Sequence, residues 1–260
     1  MKLITKLLGL IGYPLEHSFS ERYFNERFSI LGYDFIEYRN FPLEDIDEVV
    51  YLLKLVPEIC GLNVTSPHKM GIMKFLSAVE PEAEKVGSVN TVIVERSVNR
   101  IYLTGYNTDI VGFEKSIVPL LEPHHIKALI LGTGGAARAV AYVFEKLGIE
   151  YCFVSRRFKQ EGRSLLYSDL KKEIFEHYHI IINSTSLGMY PYDSFYPPIP
   201  YEYLSSNHLL FDLVYNPQET NFLRFGKSKG AKVKNGIDML YIQANAAWEI
   251  FKQFGCFDQG

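Results

Sequence analysis

Cysteine is scarce in this chain, and it has neither a long apolar run nor an excess of positive charge. The three cysteines, Cys60, Cys152 and Cys256, are odd in number and show neither C-x-x-C nor zinc-like spacing. A disulfide framework is therefore not expected, and the cytoplasm is the predicted compartment. No stretch has the length of a membrane span, and the net charge of −3 provides no basic field. We therefore expect neither nucleic acid nor a membrane as a partner.

The opening stretch MKLITKLLGLIG (1–12) has a basic start and an apolar body, as signal sequences do. Its apolar run is short, is interrupted by Lys6 and leads into YPLEHS without a small-residue cleavage site. We interpret it as a first buried strand. The overall content of 47% hydrophobic and 22% charged residues is ordinary for a globular protein, and no repeat of solenoid period is present.

Strands and helices alternate through the first part of the chain. The residue patterns predict strands at 7–11, 34–38 and 59–65, and a hairpin of 89–95 with 101–106 around RSVNR. They predict helices at 18–31, at 43–55, directly after Pro67 and at 80–86. This alternation is typical of an α/β unit with a mostly parallel sheet.

A second run of alternating elements begins near Asp109. It comprises a helix at 110–121, a helix after the strand 128–131, and strands at 151–155, 179–183, 209–214 and 232–234. A terminal helix is predicted at 240–254. The chain is therefore predicted to form two α/β domains, with the terminal helix returning to the first.

A glycine turn between a strand and a helix gives the first chemical signal. In LILGTGGAARAVAYVFEKLG (129–148), Gly132, Gly134 and Ala137 fill the pattern G-x-G-x-x-A. The first glycine permits the tight turn, the second lets a pyrophosphate approach the backbone, and the small third residue lets helix pack on strand. Backbone amides at the helix N-terminus then bind the phosphates. With a strand before it and a helix after it, the motif predicts a dinucleotide site.

The end of the next strand predicts which nucleotide binds. NAD-selective sites usually place Asp or Glu there, for the ribose hydroxyls. This chain has FVSRRFK, with Ser155, Arg156 and Arg157 at that position. Either arginine alone would suit a solvated surface, but two guanidinium groups in this place suit a 2′-phosphate, so NADP is the predicted cofactor.

Candidate proton-transfer groups follow two other predicted strands. GLNVTSPHK (61–69) ends a strand in polar residues and leads to Lys69, and GYNTDIVGF (105–113) places Asp109 at a helix start. Reduction of a carbonyl needs a proton donor, and lysine shifts its pKa readily when partly desolvated. Taken singly, each residue also fits an ordinary role, as a solvated lysine and as a helix N-cap.

Taken together, nine motifs resemble those of the shikimate dehydrogenase family. They run in order from Gly12 to Ala244: GYPLEHSFS, GLNVTSPHK, VGSVNT, GYNTD, GTGGAAR, SRR, NSTSLGM, DLVYNP and NGIDMLYIQA. The resemblance implies reversible NADPH-dependent reduction of 3-dehydroshikimate to shikimate, in chorismate and aromatic amino-acid biosynthesis. It also implies a substrate-binding and catalytic domain of residues 1–108 plus 236–260, and a Rossmann-type NADP-binding domain of residues 109–235.

The resemblance assigns a role to each matching residue. It makes Lys69 and Asp109 the catalytic pair, and it implies substrate contacts from Ser18, Ser20, Asn63, Thr65, Asn90, Asp109, Tyr215 and Gln243. It implies cofactor contacts from Gly132, Gly134, Gly135, Ala136, Ser155, Arg156, Arg157, Thr185, Leu213, Gly236 and Met239. One departure from the family pattern is Glu21 and Phe24, where the family usually has Pro and His. No metal is expected, and the chain is predicted to be a monomer or a homodimer.

Two other functions stay open on the sequence. An acidic residue in place of Ser155 or Arg156 would favour an NAD-using quinate/shikimate dehydrogenase, and this chain has none there. Loss of Lys69 or Asp109 would favour a non-catalytic binding module, and both residues are present. The pairs His124–His125 and His177–His179 have ligand-like spacing but no acidic or cysteine cluster beside them. We interpret them as surface or strand-end residues, and His17 and His68 as positioning or exposed groups.

Overall fold

A computed structural model describes residues 4–15, 18–157 and 163–258 of the chain. By its internal contacts the chain divides into two compact units. The first contains the residues up to Thr108 together with those from Ala244 onward, and the second is Asp109–Gln243. The chain passes from the first unit to the second at 108/109 and returns to the first at 243/244, within the last helix.

The first unit contains a six-stranded mixed sheet of order β2-β1-β3-β5-β6-β4. Strand β1 pairs in parallel with β2 and with β3, β4 is parallel to β6, and the pairs β3–β5 and β5–β6 are antiparallel. The strands are β1 (Lys6–Gly12), β2 (Ile36–Pro42), β3 (Ile59–Val64), β4 (Ala78–Val79), β5 (Thr91–Ser97) and β6 (Arg100–Tyr106). The helices are α1 (Phe19–Leu31), α2 (Val49–Leu55) and α3 (Pro81–Val86).

The helix ends of this unit follow from their capping residues. The Ser18 side chain accepts a hydrogen bond from the Ser20 amide at 3.3 Å, and α1 stops at Gly32, whose φ of 74° favours glycine. Helix α3 has Pro81 in its first turn and a cap from the Glu80 carboxylate. These are local signals, and both helices lie close to their predicted positions.

Each face of the first sheet is covered by its own apolar core. On one face α2 packs through Val49 and Leu53 against strand residues such as Leu62 and Val92. On the other face α1 packs with the end of the last helix, α8 (Ile237–Gln253). Its aromatic cluster comprises Phe24, Phe28, Tyr38, Trp248, Phe251 and Phe257. The prediction that the terminal helix returns to the first domain is therefore confirmed.

Two predicted helices of this unit are wrong in part. The helix predicted at 43–55 is α2 alone, preceded by a 3-10 turn (Ile46–Glu48) that begins at an Asp45 capping box. No α-helix follows Pro67; a turn there leads into a 3-10 turn, Gly71–Phe75. The backbone after Pro67 is instead hydrogen-bonded to a segment distant in the sequence, since the Lys69 carbonyl accepts from the Val89 amide at 2.8 Å.

The second unit is a doubly wound sheet in which all neighbouring strands are parallel, of order β12-β11-β10-β7-β8-β9. Its strands are β7 (Lys127–Leu131), β8 (Glu150–Ser155), β9 (Ser164–Leu166), β10 (Ile180–Asn183), β11 (Leu209–Asp212) and β12 (Lys232–Lys234). Its helices are α4 (Asp109–Ile117), α5 (Gly135–Lys146), α6 (Lys172–Phe175), α7 (Asn221–Ser228) and the start of α8. The strand order reverses between β7 and β10, the switch point where such folds bind ligands.

The predicted α/β fold, with a Rossmann-type second domain, is confirmed. The elements not predicted are short: β4, β9, α6 and α7. Over the described ranges, no helix is long and apolar enough to cross a membrane.

Candidate active site

The tip of β3 carries a buried amide that three neighbours hold in place. Asn63, 7% exposed, accepts a hydrogen bond at Oδ1 from the Tyr38 hydroxyl at 2.9 Å. Its Nδ2 donates to the Thr91 hydroxyl at 3.1 Å and to the Asn90 carbonyl at 3.3 Å. The amide orientation follows from these partners because the carbonyl of Asn90 can only accept. Asn63 is thus a rigid, oriented group at the end of the strand.

Tyr38, which has no role assigned from the sequence, joins two predicted substrate residues. Its ring is fully buried and stacks on Phe24 at 4.6 Å, and its hydroxyl hydrogen-bonds to both Asn63 and the Ser20 side chain. Burial raises the pKa of Tyr38 well above its usual range, so the hydroxyl stays protonated and can donate. The backbone of Tyr38 is clamped by the Asn25 amide, with both contacts at 2.8 Å. Phe24, the departure from the family pattern, therefore serves core packing.

A second buried amide lies beside the first. Asn90, 3% exposed, donates from Nδ2 to the Thr108 hydroxyl at 2.9 Å and accepts at Oδ1 from the Thr108 amide at 2.7 Å. The Thr91 hydroxyl donates to the same Oδ1 at 3.2 Å. Through Thr91 the two amides, Asn63 and Asn90, share one network of neutral donors and acceptors.

The chain that follows β3 brings Thr65 and Lys69 past the sheet edge. The Thr65 amide donates to the Ile11 carbonyl at 2.9 Å, which continues the sheet pairing by one residue. His68 is buried, and its Nε2 donates to the Leu43 carbonyl at 2.7 Å. Lys69 is half-buried. His68 therefore positions the turn that carries Lys69, one of the two roles expected for it, and His17 lies outside the described residues.

In the second unit, Asp109 and Gln243 lie on two helices that pack closely. Asp109, 5% exposed, is the first residue of α4. One turn later, a Cβ built at Gly112 would approach the Met239 carbonyl and the Gln243 Cβ to 3.0 Å each. Gln243 donates from Nε2 to the Leu240 carbonyl at 3.0 Å. The absence of a side chain at Gly112 thus allows the helix of Asp109 to approach the helix of Gln243 and Met239.

The predicted glycine turn lies at the switch point of the second sheet. Gly132 has φ of 107°, and a Cβ there would approach the Ser184 Oγ to 2.9 Å. At Gly134 the backbone is extended, and a Cβ would meet nothing within 4 Å. Helix α5 begins at Gly135, followed by Ala136, and its N-cap residue is Gly134, which has no side chain. The open space beside Gly134, at the N-terminus of a helix, fits a phosphate, so these residues suit a dinucleotide.

The loop after β10 contacts this turn and carries Thr185. The Ser184 hydroxyl donates to the Leu131 carbonyl at 2.6 Å. The Thr185 amide and hydroxyl both donate to the Asn183 Oδ1, at 3.1 Å and 2.7 Å. The structure therefore brings Thr185 and Gly132 together at the edge where the cofactor is predicted.

The arginine motif follows β8, the neighbour of β7. The Ser155 hydroxyl donates to the Arg157 carbonyl, which forms a tight turn after the strand. Both arginine side chains are exposed, and Arg156 lies near enough to Tyr167 to oppose the effect of burial on the pKa of that phenol. The end of the quoted motif, Phe158 and Lys159, lies outside the described residues. The two guanidinium groups are accessible at the strand end where a 2′-phosphate is expected.

The remaining candidates lie around the end of β11. The Leu213 carbonyl is so close to Gly236 that a Cβ there would approach it to 2.3 Å, and the Gly236 amide donates to the Val214 carbonyl at 3.1 Å. Tyr215 follows and is half-buried, and Met239 is buried in α8. Leu213 and Gly236 are therefore adjacent.

Three residues without a role assigned from the sequence lie beneath these loops. Asp212, fully buried, accepts from the Asn183 Nδ2 at 2.9 Å, the Val214 amide at 3.0 Å and the Thr220 hydroxyl at 2.6 Å. Burial raises the pKa of Asp212 to about 6, and its three hydrogen bonds oppose that rise. The one sequence feature that could have indicated Asp212 is its position at the end of an apolar strand, in DLVYNP.

Four histidines lie at the opposite end of the second sheet. The rings of His124, His125, His179 and His208 form a chain of contacts, with neighbouring centroids 4.3 to 5.4 Å apart. Nε2 of His208 donates to the Phe175 carbonyl at 3.0 Å. In the described part of the chain, no group of three or more His, Cys, Asp or Glu residues could hold a metal ion. These are strand-end residues, and His208 is a member that sequence spacing did not indicate.

The geometry defines a class of protein. One unit is a doubly wound sheet with a glycine turn at its switch point, and the other is an α/β unit whose strand ends present buried hydroxyls and amides. Such a chain is a two-domain α/β enzyme of the dinucleotide-dependent class. The family model described as shikimate dehydrogenase substrate binding domain matches residues 10–92. Shikimate dehydrogenases more than 30% identical to this chain match nearly its whole length, so the chain belongs to the shikimate dehydrogenase family.

Similar proteins cover nearly the whole chain. The shikimate dehydrogenase (NADP(+)) of Carboxydothermus hydrogenoformans is 38% identical over an alignment that spans 94% of this chain and 91% of that protein. The crystal structure of shikimate dehydrogenase 1 from Peptoclostridium difficile has a TM-score of 0.81 at 36% identity, covering 95% of this chain and 92% of that one. That of the Thermus thermophilus enzyme, in complex with NADP(H) and shikimate, has a TM-score of 0.80 at 29% identity and covers 97% of each.

Proposed function

We propose that this chain catalyses the reversible reduction of 3-dehydroshikimate to shikimate with NADPH, and that Lys69 and Asp109 form its acid–base pair. The observation that carries the proposal is near full-length similarity to NADP-dependent shikimate dehydrogenases. Both residues of the pair are present in the motifs that resemble the family. The reaction would belong to chorismate and aromatic amino-acid biosynthesis, and we place it in the cytoplasm.

The first unit supplies the groups expected to bind the substrate. Ser18 and Ser20, at the start of α1, would hold the carboxylate through neutral hydroxyls. Asn63, Thr65 and Asn90 would hydrogen-bond to the ring hydroxyls. Neutral, oriented donors and acceptors suit a small polyhydroxylated acid, because its hydroxyl groups can both donate and accept hydrogen bonds. From the second unit, Tyr215 and Gln243 complete the proposed substrate set.

Proton transfer is assigned to Lys69. NADPH, when bound, would supply hydride to the carbonyl carbon, and the carbonyl oxygen would then need a proton. An ammonium group is a suitable donor in that direction, and the neutral amine is the base in reverse. The Asp109 carboxylate, at the start of α4, would orient the ammonium and stabilise its charge. Loss of Lys69 should therefore reduce turnover much more than substrate binding.

The second unit supplies the groups expected to hold NADP. Phosphates would bind at the start of α5, against Gly132, Gly134, Gly135 and Ala136. Arg156 and Arg157 would bind the 2′-phosphate, with Ser155 closing the turn beneath them. Thr185, Leu213, Gly236 and Met239 would line the nicotinamide side. A monomer or a homodimer is equally compatible with this assignment.

One assay tests the proposal directly. The purified chain is given shikimate with NADP+ or with NAD+, and the absorbance of the reduced nicotinamide is followed, with quinate as an added competitor. We expect turnover with NADP+ to exceed turnover with NAD+ by at least about ten-fold. Preference for NAD+, or oxidation of quinate at the rate of shikimate, would contradict the cofactor and substrate assignments. No turnover with either nucleotide, together with tight shikimate binding, would instead support a binding module.

A further inference from the structure

A continuous chain of buried hydrogen bonds lies beneath the proposed cofactor loops. It begins at Thr220, the N-cap of α7, whose hydroxyl donates to the Asp212 Oδ2 at 2.6 Å. The Asn183 Nδ2 donates to the other carboxylate oxygen at 2.9 Å. The Asn183 Oδ1 then accepts from both the amide and the hydroxyl of Thr185. The chain thus connects α7 to the end of β11, then to the end of β10 and its loop.

The carboxylate determines how the Asn183 amide is oriented. An ionised aspartate can only accept, so the NH₂ group of Asn183 must face Asp212. The same NH₂ donates to the Leu187 carbonyl at 3.1 Å. With both donors committed, the Asn183 oxygen faces Thr185. The orientation of Asn183, and with it the position of Thr185, follows from the acceptor oxygen of a neighbour.

Asp212 also holds the second loop. Its Oδ1 accepts from the Val214 amide at 3.0 Å, and the Leu213 amide donates to the Asn183 carbonyl at 2.9 Å. One carboxylate therefore fixes the backbone at Leu213–Val214 and the side chain that fixes Thr185. On its far side the Thr185 loop packs against the glycine turn, where Ser184 and Thr185 lie within 3.2 Å of a Cβ built at Gly132.

We propose that Asp212 is a positioning residue for cofactor binding: through Asn183 and the Val214 amide it holds the Thr185 and Leu213 loops at the spacing the dinucleotide needs. This proposal rests on the function proposed above. Burial raises the pKa of Asp212 to about 6. A group whose folded pKa is raised stabilises the protein below its unfolded pKa, and that contribution is lost as the pH rises through about 6. At neutral pH the charged carboxylate therefore adds no stability by this route, and a role in stability alone is a poor explanation of it.

Two substitutions at one position separate positioning from charge. In Asp212→Asn, the new Oδ1 can accept from the Asn183 Nδ2 and the Val214 amide, and the new Nδ2 can donate to the Thr220 hydroxyl. Asp212→Ala removes the acceptor for all three donors. We expect Asp212→Ala to weaken NADPH binding at least about ten-fold and Asp212→Asn to stay within about two-fold of the wild type. Binding is measured by calorimetry without shikimate.

His208→Ala is the matched control for lost stability. His208 is buried at the opposite end of β11 and donates to the Phe175 carbonyl, far along the strand from the loops. This variant should lower the thermal midpoint while NADPH binding stays within about two-fold. If Asp212→Ala does not fold, Thr220→Val is used instead. It removes one of the three hydrogen bonds and should weaken NADPH binding by about three-fold.

The outcomes separate the positioning role from its alternatives. Wild-type NADPH affinity in folded Asp212→Ala, or in Thr220→Val where it replaces that variant, would overturn the proposal. So would equal losses in Asp212→Ala and Asp212→Asn, or a loss of the same size in His208→Ala. Because NADPH binding is measured alone, a wild type that binds NADPH but does not oxidise shikimate would contradict the proposed function and leave this test valid.

Discussion

The strand ends of the two units suit different recognition problems. In the first unit, side chains form the proposed recognition surface: Asn63 and Asn90 are buried, cross-linked and oriented by neutral neighbours such as Tyr38. In the second unit the backbone at Gly132 and Gly134 would face the ligand, and buried polar groups such as Asn183 and Asp212 support the neighbouring loops. Directed side chains suit a substrate distinguished by its hydroxyls. Backbone amides suit phosphates, which every dinucleotide presents.

The largest effect should come from the residue that joins recognition to chemistry. Lys69→Ala should lower kcat by at least about 100-fold while the KM for shikimate changes by less than about three-fold, because the proton donor is lost and the hydroxyl contacts remain. Steady-state kinetics measures this. Lys74→Ala is the control, since Lys74 lies on the next 3-10 turn in an exposed ion pair with Asp47. Wild-type-like turnover of Lys69→Ala would contradict its role.

The choice between NADP and NAD should depend on a side chain, whereas binding of the pyrophosphate should depend on the backbone. Arg156→Gln should reduce kcat/KM with NADP+ by about 30-fold and leave that with NAD+ within about two-fold, because a charge-assisted contact to the 2′-phosphate is lost. The control is Arg163→Gln, whose guanidinium lies over the Tyr151 ring at 5.3 Å. Equal losses with both nucleotides would place Arg156 outside the 2′-phosphate site.

The glycine turn can be probed with a pair of alanines. Gly134→Ala should leave the thermal midpoint unchanged, since its φ of −77° is ordinary and a Cβ meets no atom within 4 Å. It should nevertheless weaken NADPH binding by about ten-fold, because the methyl group occupies the phosphate approach. Gly132→Ala should also destabilise the fold by about 1–3 kcal/mol, owing to its φ of 107°. Unchanged NADPH binding in Gly134→Ala would contradict the phosphate site.

On the substrate side, one hydroxyl tests whether oriented amides matter. Tyr38→Phe removes the donor to the Asn63 Oδ1, so the KM for shikimate should rise by about five-fold while NADPH affinity is unchanged. Tyr23→Phe is the control, because its hydroxyl donates to the Asn245 Oδ1 at the surface. A rise in the apparent Kd for NADPH after Tyr38→Phe would argue against separate recognition by the two units.

The smallest effect concerns acid stability at the histidine end of the second sheet. Burial is the main cause that lowers the pKa of His125 and of His208; His124 and His179 add repulsion at His125, and Glu122 partly offsets it. A base with a lowered folded pKa binds more protons when unfolded, so it removes stability as the pH falls below about 6.5. We expect the thermal midpoint to fall by about 3 °C more in the wild type than in His125→Gln between pH 7 and about pH 5.5. An equal fall in both would refute this.

Much of this architecture is readable from sequence because its signals are local. Apolar strands, the glycine turn and the Ser18 and Glu80 caps are all encoded within a few residues. The helix predicted after Pro67 is absent because long-range contacts, such as that of the Val89 amide with the Lys69 carbonyl, outweigh the local signal. Helix α7 was not predicted because it contains Gly226, and glycine is a poor helix former. The glycine is needed there because a Cβ would clash with Leu210.

Residues of the candidate site could be predicted from the sequence only where they lie in a recognisable motif. Asp212 contacts Asn183 and Thr220 across two strands and a loop, a pairing that one sequence does not reveal. Tyr38 looked like any strand aromatic, although it joins Ser20 to Asn63. Supporting residues escape sequence reasoning because their partners are distant in the chain and their side chains are chemically ordinary.

The position of α8 has a consequence for biosynthesis. Its later turns place Ala247, Trp248 and Phe251 in the core that also contains Leu8, Phe24 and Tyr38. That core cannot be completed until these late residues have left the ribosome, whereas the parallel sheet of the second unit is already whole by Lys234. The unit whose synthesis begins first is therefore the last to complete its core. Until α8 has been synthesised, the aromatic residues that pack against it stay exposed.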